Sequence, residues 1–409
     1  MITPLEAWEI LAGELRPMQP VAAPLVNSLG AVLAEPVVAD RDIPPADRAA
    51  MDGYAVRHDD LTRQGLRLMV DGEVAAGDPA PDTLAFGHSY RIFTGANLPV
   101  GADTVIPVEH TTTGSFTGGP PETSVGIVKS PKMKANVFLR GENARAGTVL
   151  MEAGCRLGPR QVGLAAAVGY DVVKVYPIPS VCILNTGAEL LSAGESAADY
   201  QNRNSNGPLL VAALKEAGLS NVECKMVPDA LNETMEAITL ALDQADSVII
   251  TGGISAGAYD FVPKAIEATG ARLCYRGVAM KPGKPQLFAI TSDGKPIFGL
   301  PGNPLSSIVG MYELVLPALR KISGMPVHLC RQCYYLPVSQ SVENKSDRQL
   351  VLPALLKHDP SGSSVTPCPP IGSADLVTGA KADGAVLLPP KSGVLPAGTM
   401  VAFRPWGYQ

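Results

Sequence analysis

Apolar positions along the chain follow two regular patterns with irregular stretches between them. Near the start, Trp8, Leu11 and Leu15 recur at spacings of three and four and so share one face of a helix. Thr3, Pro4 and Glu6 form a capping-box arrangement, in which side chain and backbone satisfy each other's unpaired amides. These signals predict an amphipathic helix of roughly four turns. Within 42–142 the pattern changes to short alternating runs at 91–93, 104–108 and 126–128, broken by Pro and Gly, which predict a small β domain. The polar stretch 111–120 inside it is expected to be a mobile hairpin tip.

From residue 180 onward, β-rich runs alternate with helical stretches, the pattern of βαβ units. Strands are predicted at 181–184, 222–227, 247–250, 286–290 and 296–300. Helices are predicted at 208–217, from an Asn232 cap through Met235, Ile238 and Leu242, and at 305–322, where Gly324 and Pro326 stop it. Such a sheet is mostly parallel and doubly wound. After 326, short strands between Ser/Gly/Pro clusters predict an all-β module.

Composition narrows the picture. A chain of 409 residues exceeds what one core organises, so two to four domains are expected. Apolar residues at 46% and charged residues at 18% describe a globular protein, and 41 Gly with 37 Pro imply many tight turns. The net charge of −6 gives no basic footprint, which excludes nucleic acid as a main partner. No run of 18 apolar residues occurs, and Glu6, Glu9 and Glu14 punctuate the start, so neither a leader nor a membrane span is expected and the location is cytoplasmic. Seven cysteines are expected as reduced thiols. Cys330 and Cys333, near His328, lack a second ligand pair for zinc and are read as parts of a strand.

Ligands of open α/β sheets bind outside the carboxyl ends of the strands. Thr251-Gly252-Gly253-Ile254-Ser255 follows one such end, and its adjacent glycines let backbone amides approach a phosphate or carboxylate. Asp260, at the following helix start, either favours the helix dipole or holds magnesium opposite a phosphate. Lys281 and Lys284 lie on a turn stiffened by Pro282 and Pro285, where they are either solvated or neutralise an anion. Pro301-Gly302-Asn303-Pro304 is a second strand-to-helix turn at the same edge. Asp52, in Ala50-Met51-Asp52-Gly53-Tyr54-Ala55, is either a turn cap or catalytic.

Together with Phe93-Thr94-Gly95-Ala96, Leu139-Arg140-Gly141-Glu142 and Thr186-Gly187-Ala188-Glu189-Leu190, these motifs resemble, in order and across nearly the whole chain, the molybdopterin molybdenumtransferase family, which includes the C-terminal enzymatic domain of gephyrin. The resemblance implies α/β plus β architecture in four domains: an elongated one from 1–41 and 143–177, an inserted β domain at 42–142, an α/β molybdopterin-binding domain at 178–325, and a C-terminal β domain at 326–409. It also implies a homodimer, with molybdopterin adenylyltransferase as the upstream partner. The implied reaction uses molybdate, adenylylated molybdopterin and Mg2+, places molybdenum on the dithiolene and releases AMP. Asp52, Thr94, Glu189, Asp260 and Lys281 are the implied catalytic residues, with Glu189 and Asp260 on the metal. Gly252, Gly253, Ser255, Lys284, Pro301 and Asn303 are implied to bind substrate. The chain departs from the family at Asn143, Ala188, Asn204 and Gly277, where carboxylates or a basic residue are common. Two other readings follow: a cofactor-binding or delivery protein without insertion activity, and a nucleotide pyrophosphatase.

Overall fold

The computed structural model describes residues 1–62, 65–254, 261–360 and 362–407. They form two compact units: one of Met1–Glu35, Ala153–Val162 and Val172–Gln409, the other of Pro36–Glu152 and Gly163–Asp171.

The N-terminal helix is Pro4–Glu14, and its capping box is present: Glu6 N donates to Thr3 Oγ1 at 3.1 Å and Thr3 N to Glu6 Oε2 at 2.7 Å. It is one turn shorter than the spacing predicts, because Pro17 disfavours helical backbone at Arg16 and Leu15 is already extended. Close by in sequence, Val21–Pro24 and Val32–Leu33 flank Val172–Tyr176 in a three-stranded sheet.

One six-stranded sheet of this unit is ordered Val222–Val227, Val181–Thr186, Ser247–Thr251, Pro296–Leu300, Leu287–Ile290, Arg272–Arg276. The first four strands pair in parallel, and Leu287–Ile290 pairs antiparallel with both of its neighbours. Arg272–Arg276 is a strand that the sequence pattern did not predict. Successive side chains enter opposite faces. Ile183, Ile249 and Phe298 pack with Leu210, Leu214 and Leu319, whereas Leu184, Val248, Ile250 and Ile297 pack with Ile238, Ala241 and Ile266. Burial on both faces is why these strands read as continuous apolar runs.

Two helices differ from expectation. Leu231–Gln244 starts one residue before Asn232, with Ala230 as an N-cap lacking a side-chain bond. The tight turn in which Ala230 N donates to Pro228 O at 2.9 Å sets that entry. The helix through 304–322 contains a π-helical turn, Met311–Val315. Pro317 follows it and has no N–H to return to residue 313, a local defect that a widened turn absorbs.

A second six-stranded sheet is ordered Met280–Lys281, Gln349–Asp359, Gly384–Leu388, Met400–Pro405, Tyr334–Pro337, with Gly362–Pro367 also paired to Gln349–Asp359. The closing region is not all β: Val327–Cys330 and Leu376–Lys381 are helical. Cys330 is therefore not in a strand. Pro326 is the N-cap of the short helix, and the buried Cys330 Sγ–H reaches the carbonyls of Met325 and Pro326. Among the described residues no group of three or more His, Cys, Asp or Glu side chains is placed to hold a metal ion.

In the other unit, Thr104–Pro107, Gly53–Val56, His88–Ile92, Arg67–Val74 and Ser124–Gly126 make a five-stranded sheet. The polar stretch 111–120 is tethered to it. The Arg91 guanidinium lies 4.1 Å from the Phe116 ring centroid, Arg91 Nη1 donates to Gly119 O at 3.1 Å, and Phe116 meets Tyr54 edge-on at 5.7 Å. Its few apolar residues hid this cation–π anchor from a composition-based reading.

Candidate functional site

Three loops at the carboxyl edge of the parallel strands enclose a cleft of about 570 Å³. They follow Val181–Thr186, Ser247–Thr251 and Pro296–Leu300, and contribute Gly187 and Glu189, Gly252 and Gly253, and Pro301 to Pro304.

The glycine loop is built so that a side chain cannot be added. Gly252 and Gly253 have φ of +90° and +58°, and a Cβ on Gly252 would lie 2.3 Å from Thr186 O. Gly252 N donates to Leu300 O at 3.2 Å, tying the loop to the neighbouring strand. That amide, read from the sequence as a phosphate donor, is thus engaged within the fold.

A polar layer lies under the loop. Thr251 Oγ1 donates to Asn185 Oδ1 at 3.0 Å, and Thr186 Oγ1 to Thr251 O at 3.3 Å. Asn206 Nδ2 donates to Gly302 O at 2.8 Å, while its buried Oδ1 has no partner. A buried acceptor without a donor is costly, and Asn206 is one of the residues lining the cleft. Two residues earlier, Asn204 caps the following helix by accepting from Gly207 N at 2.9 Å. Asn303 precedes the helix Pro304–Gly310 and donates through Nδ2 to Ser373 Oγ at 2.7 Å.

The structure gathers only some of the residues expected from the sequence. Glu189, Gly252, Gly253, Pro301 and Asn303 line the cleft, with Glu189 exposed. Ser255 and Asp260 lie outside the described residues. Lys281 and Lys284 are exposed and are not cleft-wall residues; Pro285 of their loop is. Lys281 belongs to the edge strand Met280–Lys281, which pairs in parallel with Gln349 and Leu350. Asp52 and Thr94 meet in the other compact unit, where Asp52 Oδ1 accepts from Thr94 N at 2.8 Å and Thr94 Oγ1 at 2.7 Å. In that unit Arg140 Nε also donates to Asp42 Oδ2 at 2.7 Å. Chiefly the Ala146 amide, and then Arg140, hold the Asp42 carboxyl below its usual range.

Sequence reasoning passed over Thr186, Asn202 and Asn206 as wall residues. A polar run at a predicted helix start on the ligand-binding edge was the available signal. Two departures from the family pattern have local explanations: Asn204 serves as a cap, and Gly277 has φ of +84°, a backbone angle that a basic residue would strain.

Comparison with known proteins places this geometry in context. The family model of the MoeA N-terminal region (domain I and II) matches residues 2–169, and that of a probable molybdopterin binding domain matches 182–321. A molybdopterin molybdenumtransferase of Staphylococcus epidermidis is 34% identical over 314 residues, 76% of this chain and 72% of its own. One from Staphylococcus aureus is 33% identical over 323 residues, 78% and 75% of the two chains. Two structures of the molybdopterin biosynthesis MoeA protein of Pyrococcus horikoshii, at 29% and 24% identity, have TM-scores of 0.80 and 0.81, covering 100% and 99% of this chain and 100% of theirs.

Proposed function

The chain belongs to the molybdopterin molybdenumtransferase family, and we propose that it transfers molybdenum from molybdate to adenylylated molybdopterin with release of AMP. The observation that carries this reading is the cleft in which the Gly252-Gly253 turn, the Asn206 acceptor and the Pro301–Pro304 turn converge at the carboxyl edge of the parallel strands. It supports recognition of a pterin bearing a phosphate. Asn206 Oδ1 accepts from the ligand, Gly253 and Ser255 donate to its phosphate, and Asn303 and Pro301 shape the opposite wall. Lys281 and Lys284 offset the charge of substrate phosphate and molybdate. Asp52, oriented by Thr94, completes the catalytic set. Neither the delivery nor the pyrophosphatase reading is favoured by these relatives.

A resident magnesium ion fits the donor chemistry, since Mg2+ is commonly held by one or two carboxylates together with substrate phosphate. Glu189 is on the cleft wall, and it and Asp260 would be the protein ligands. When bound, the ion supplies polarisation of the phosphoryl oxygen. The four-domain division at 1–41 with 143–177, 42–142, 178–325 and 326–409 belongs to the same proposal. So does the homodimer, supported by exposed apolar residues Val21, Val26, Leu29 and Val172 around the Val21–Pro24 and Val172–Tyr176 pair. Cytoplasmic location and supply of substrate by molybdopterin adenylyltransferase complete it. Among the described residues no helix is long and apolar enough to cross a membrane.

Purified protein mixed with adenylylated molybdopterin, molybdate and magnesium is expected to release AMP, and Asp260→Ala to abolish that release with the fold retained. AMP no higher than in a no-protein control rejects the transferase reading. Wild-type turnover by the variant rejects the role of Asp260.

A further inference from the structure

The wall turn at 301–304 is fixed by a residue from the C-terminal region. Asn303 Nδ2 donates to Ser373 Oγ at 2.7 Å, and Ser306 N donates to Ser373 O at 3.3 Å. Because the Asn303 side chain is spent on Ser373, it makes no cap bond to its own helix, Pro304–Gly310. The Ser373 carbonyl supplies one instead, taking up a first-turn amide that the helix itself leaves without an acceptor. Ala374, next in sequence, lines the cleft. Ser373 thus joins the wall turn to the helix that follows it.

Little packing keeps Ser373 in place, since Ile371, Gly372 and Ala374 are exposed. Hydrogen bonds to Asp375 do so instead. Its Oδ2 accepts from Ile371 N at 3.1 Å and from Thr378 Oγ1 at 2.7 Å, and its Oδ1 from Thr378 N at 3.0 Å. Asp375 N also donates to Gly372 O at 3.2 Å. The carboxylate therefore grips the loop on one side and caps the helix Leu376–Lys381 on the other. Chiefly the Thr378 amide, then the Thr378 hydroxyl and the Ile371 amide, hold its carboxyl below the usual range, so all three bonds are charge-assisted at neutral pH. The capped helix is seated on Pro304–Gly310: a Cβ on its buried Gly379 would lie 3.0 Å from Ile308 Cδ1 and 3.2 Å from Leu305 Cδ1. One carboxylate thus links a seated helix to an exposed loop, and that loop carries Ser373 to the cleft wall.

We propose that Asp375 is a positioning residue for the cleft: by tying Ile371 to Thr378 it holds Ser373 where Ser373 orients Asn303, and so keeps the 301–304 turn in its binding geometry. This rests on the proposed function, in which Asn303 and Pro301 shape the wall that meets the pterin.

Asp375→Ser in the full chain tests it, because serine keeps a helix-capping oxygen and removes the acceptor of the Ile371 amide. Hydrogen exchange, which needs no ligand, is expected to be at least about fivefold faster at the Ser306 amide and unchanged at the Thr378 amide. Titration with molybdopterin, read by pterin fluorescence, is expected to show binding weakened at least about fivefold, and the same substitution in an Asn303→Ala background to cost less than about twofold. Asp375→Asn serves if the serine variant fails to fold, since it too leaves one acceptor oxygen for three donors. Unchanged exchange at Ser306, unchanged affinity, or an equal loss in both backgrounds overturns the proposal. A wild-type chain that binds no molybdopterin overturns instead the function assigned to the cleft, and exchange at Ser306 then still decides whether Asp375 fixes the turn.

Discussion

Replacing Gly252 by alanine is the sharpest test of how the glycine loop shapes the cleft. The added Cβ would sit 2.3 Å from Thr186 O and 2.8 Å from Thr186 Oγ1. The hydroxyl can rotate away, but the carbonyl belongs to the end of a central strand and cannot. At φ of +90° the alanine also incurs about 1–2 kcal/mol of left-handed strain, and overpacking adds about 1–3 kcal/mol. A total of about 2–5 kcal/mol must therefore be divided between lost stability and loop displacement. If displacement takes all of it, molybdopterin affinity falls at least about 30-fold, since each 1.4 kcal/mol is tenfold. Pterin fluorescence on titration reads affinity, and urea unfolding of the same samples reads stability. Gly302→Ala is the control, because its Cβ would meet nothing closer than Gly252 Cα at 3.7 Å. Affinity within threefold of wild type together with an unchanged urea midpoint for Gly252→Ala would refute the steric reasoning, while a comparable defect in Gly302→Ala would remove its specificity.

Other consequences are equally accessible. Glu313→Gln leaves Arg331 and Arg404 without their buried counter-charge and is expected to cost about 3–5 kcal/mol in denaturant unfolding, whereas joint replacement of all three by Leu, Met and Leu recovers much of it; equal midpoints for the single variant and wild type contradict this. Asp52→Ala removes the acceptor of two charge-assisted bonds from Thr94, so the Thr94 amide should exchange with solvent faster, and unchanged exchange would show that the pair is not formed. Asp42 has a depressed folded-state pKa, so its contribution is present above the unfolded value, near about 3.9, and is lost as pH falls through the folded one. Asp42→Asn should therefore lower the urea midpoint at pH 7, with the gap closing below about pH 4. A gap that persists in acid assigns the effect to packing.

Legibility from sequence varied with the range of the interactions involved. The capping box at Thr3 and Glu6, and the apolar run Val248, Ile249 and Ile250, are local signals, and both correspond to what the fold contains. Arg272–Arg276 escaped notice because its Arg-Leu-Cys-Tyr-Arg pattern is half exposed and its pairing with Leu287–Ile290 is irregular. The π turn at Met311–Val315 escaped because an apolar run such as 305–322 reads alike whether one of its turns is α or π. In the cleft, the glycines announced themselves through their spacing, but the engagement of the Gly252 amide by Leu300 depends on strand neighbours far apart in sequence. The unpartnered Asn206 oxygen was invisible for the same reason: only the arrival of Gly302 consumes its amide and leaves its carbonyl over.

The three-stranded sheet of Val21–Pro24, Val172–Tyr176 and Val32–Leu33 has a consequence for biogenesis. Its outer strands leave the ribosome first, yet Val21 to Pro24 find their partners only when Val172 to Val175 have been made. Everything from Pro36 to Glu152 in the other compact unit is synthesised in the interval. Pairings of such long separation form late, because chain closure must precede the contacts that reward it. The backbone edge of Val21–Pro24 therefore waits unpaired until Val172–Tyr176 has emerged. A ribosome-bound chain ending before residue 172 is expected to be a better chaperone substrate than one extending past Tyr176.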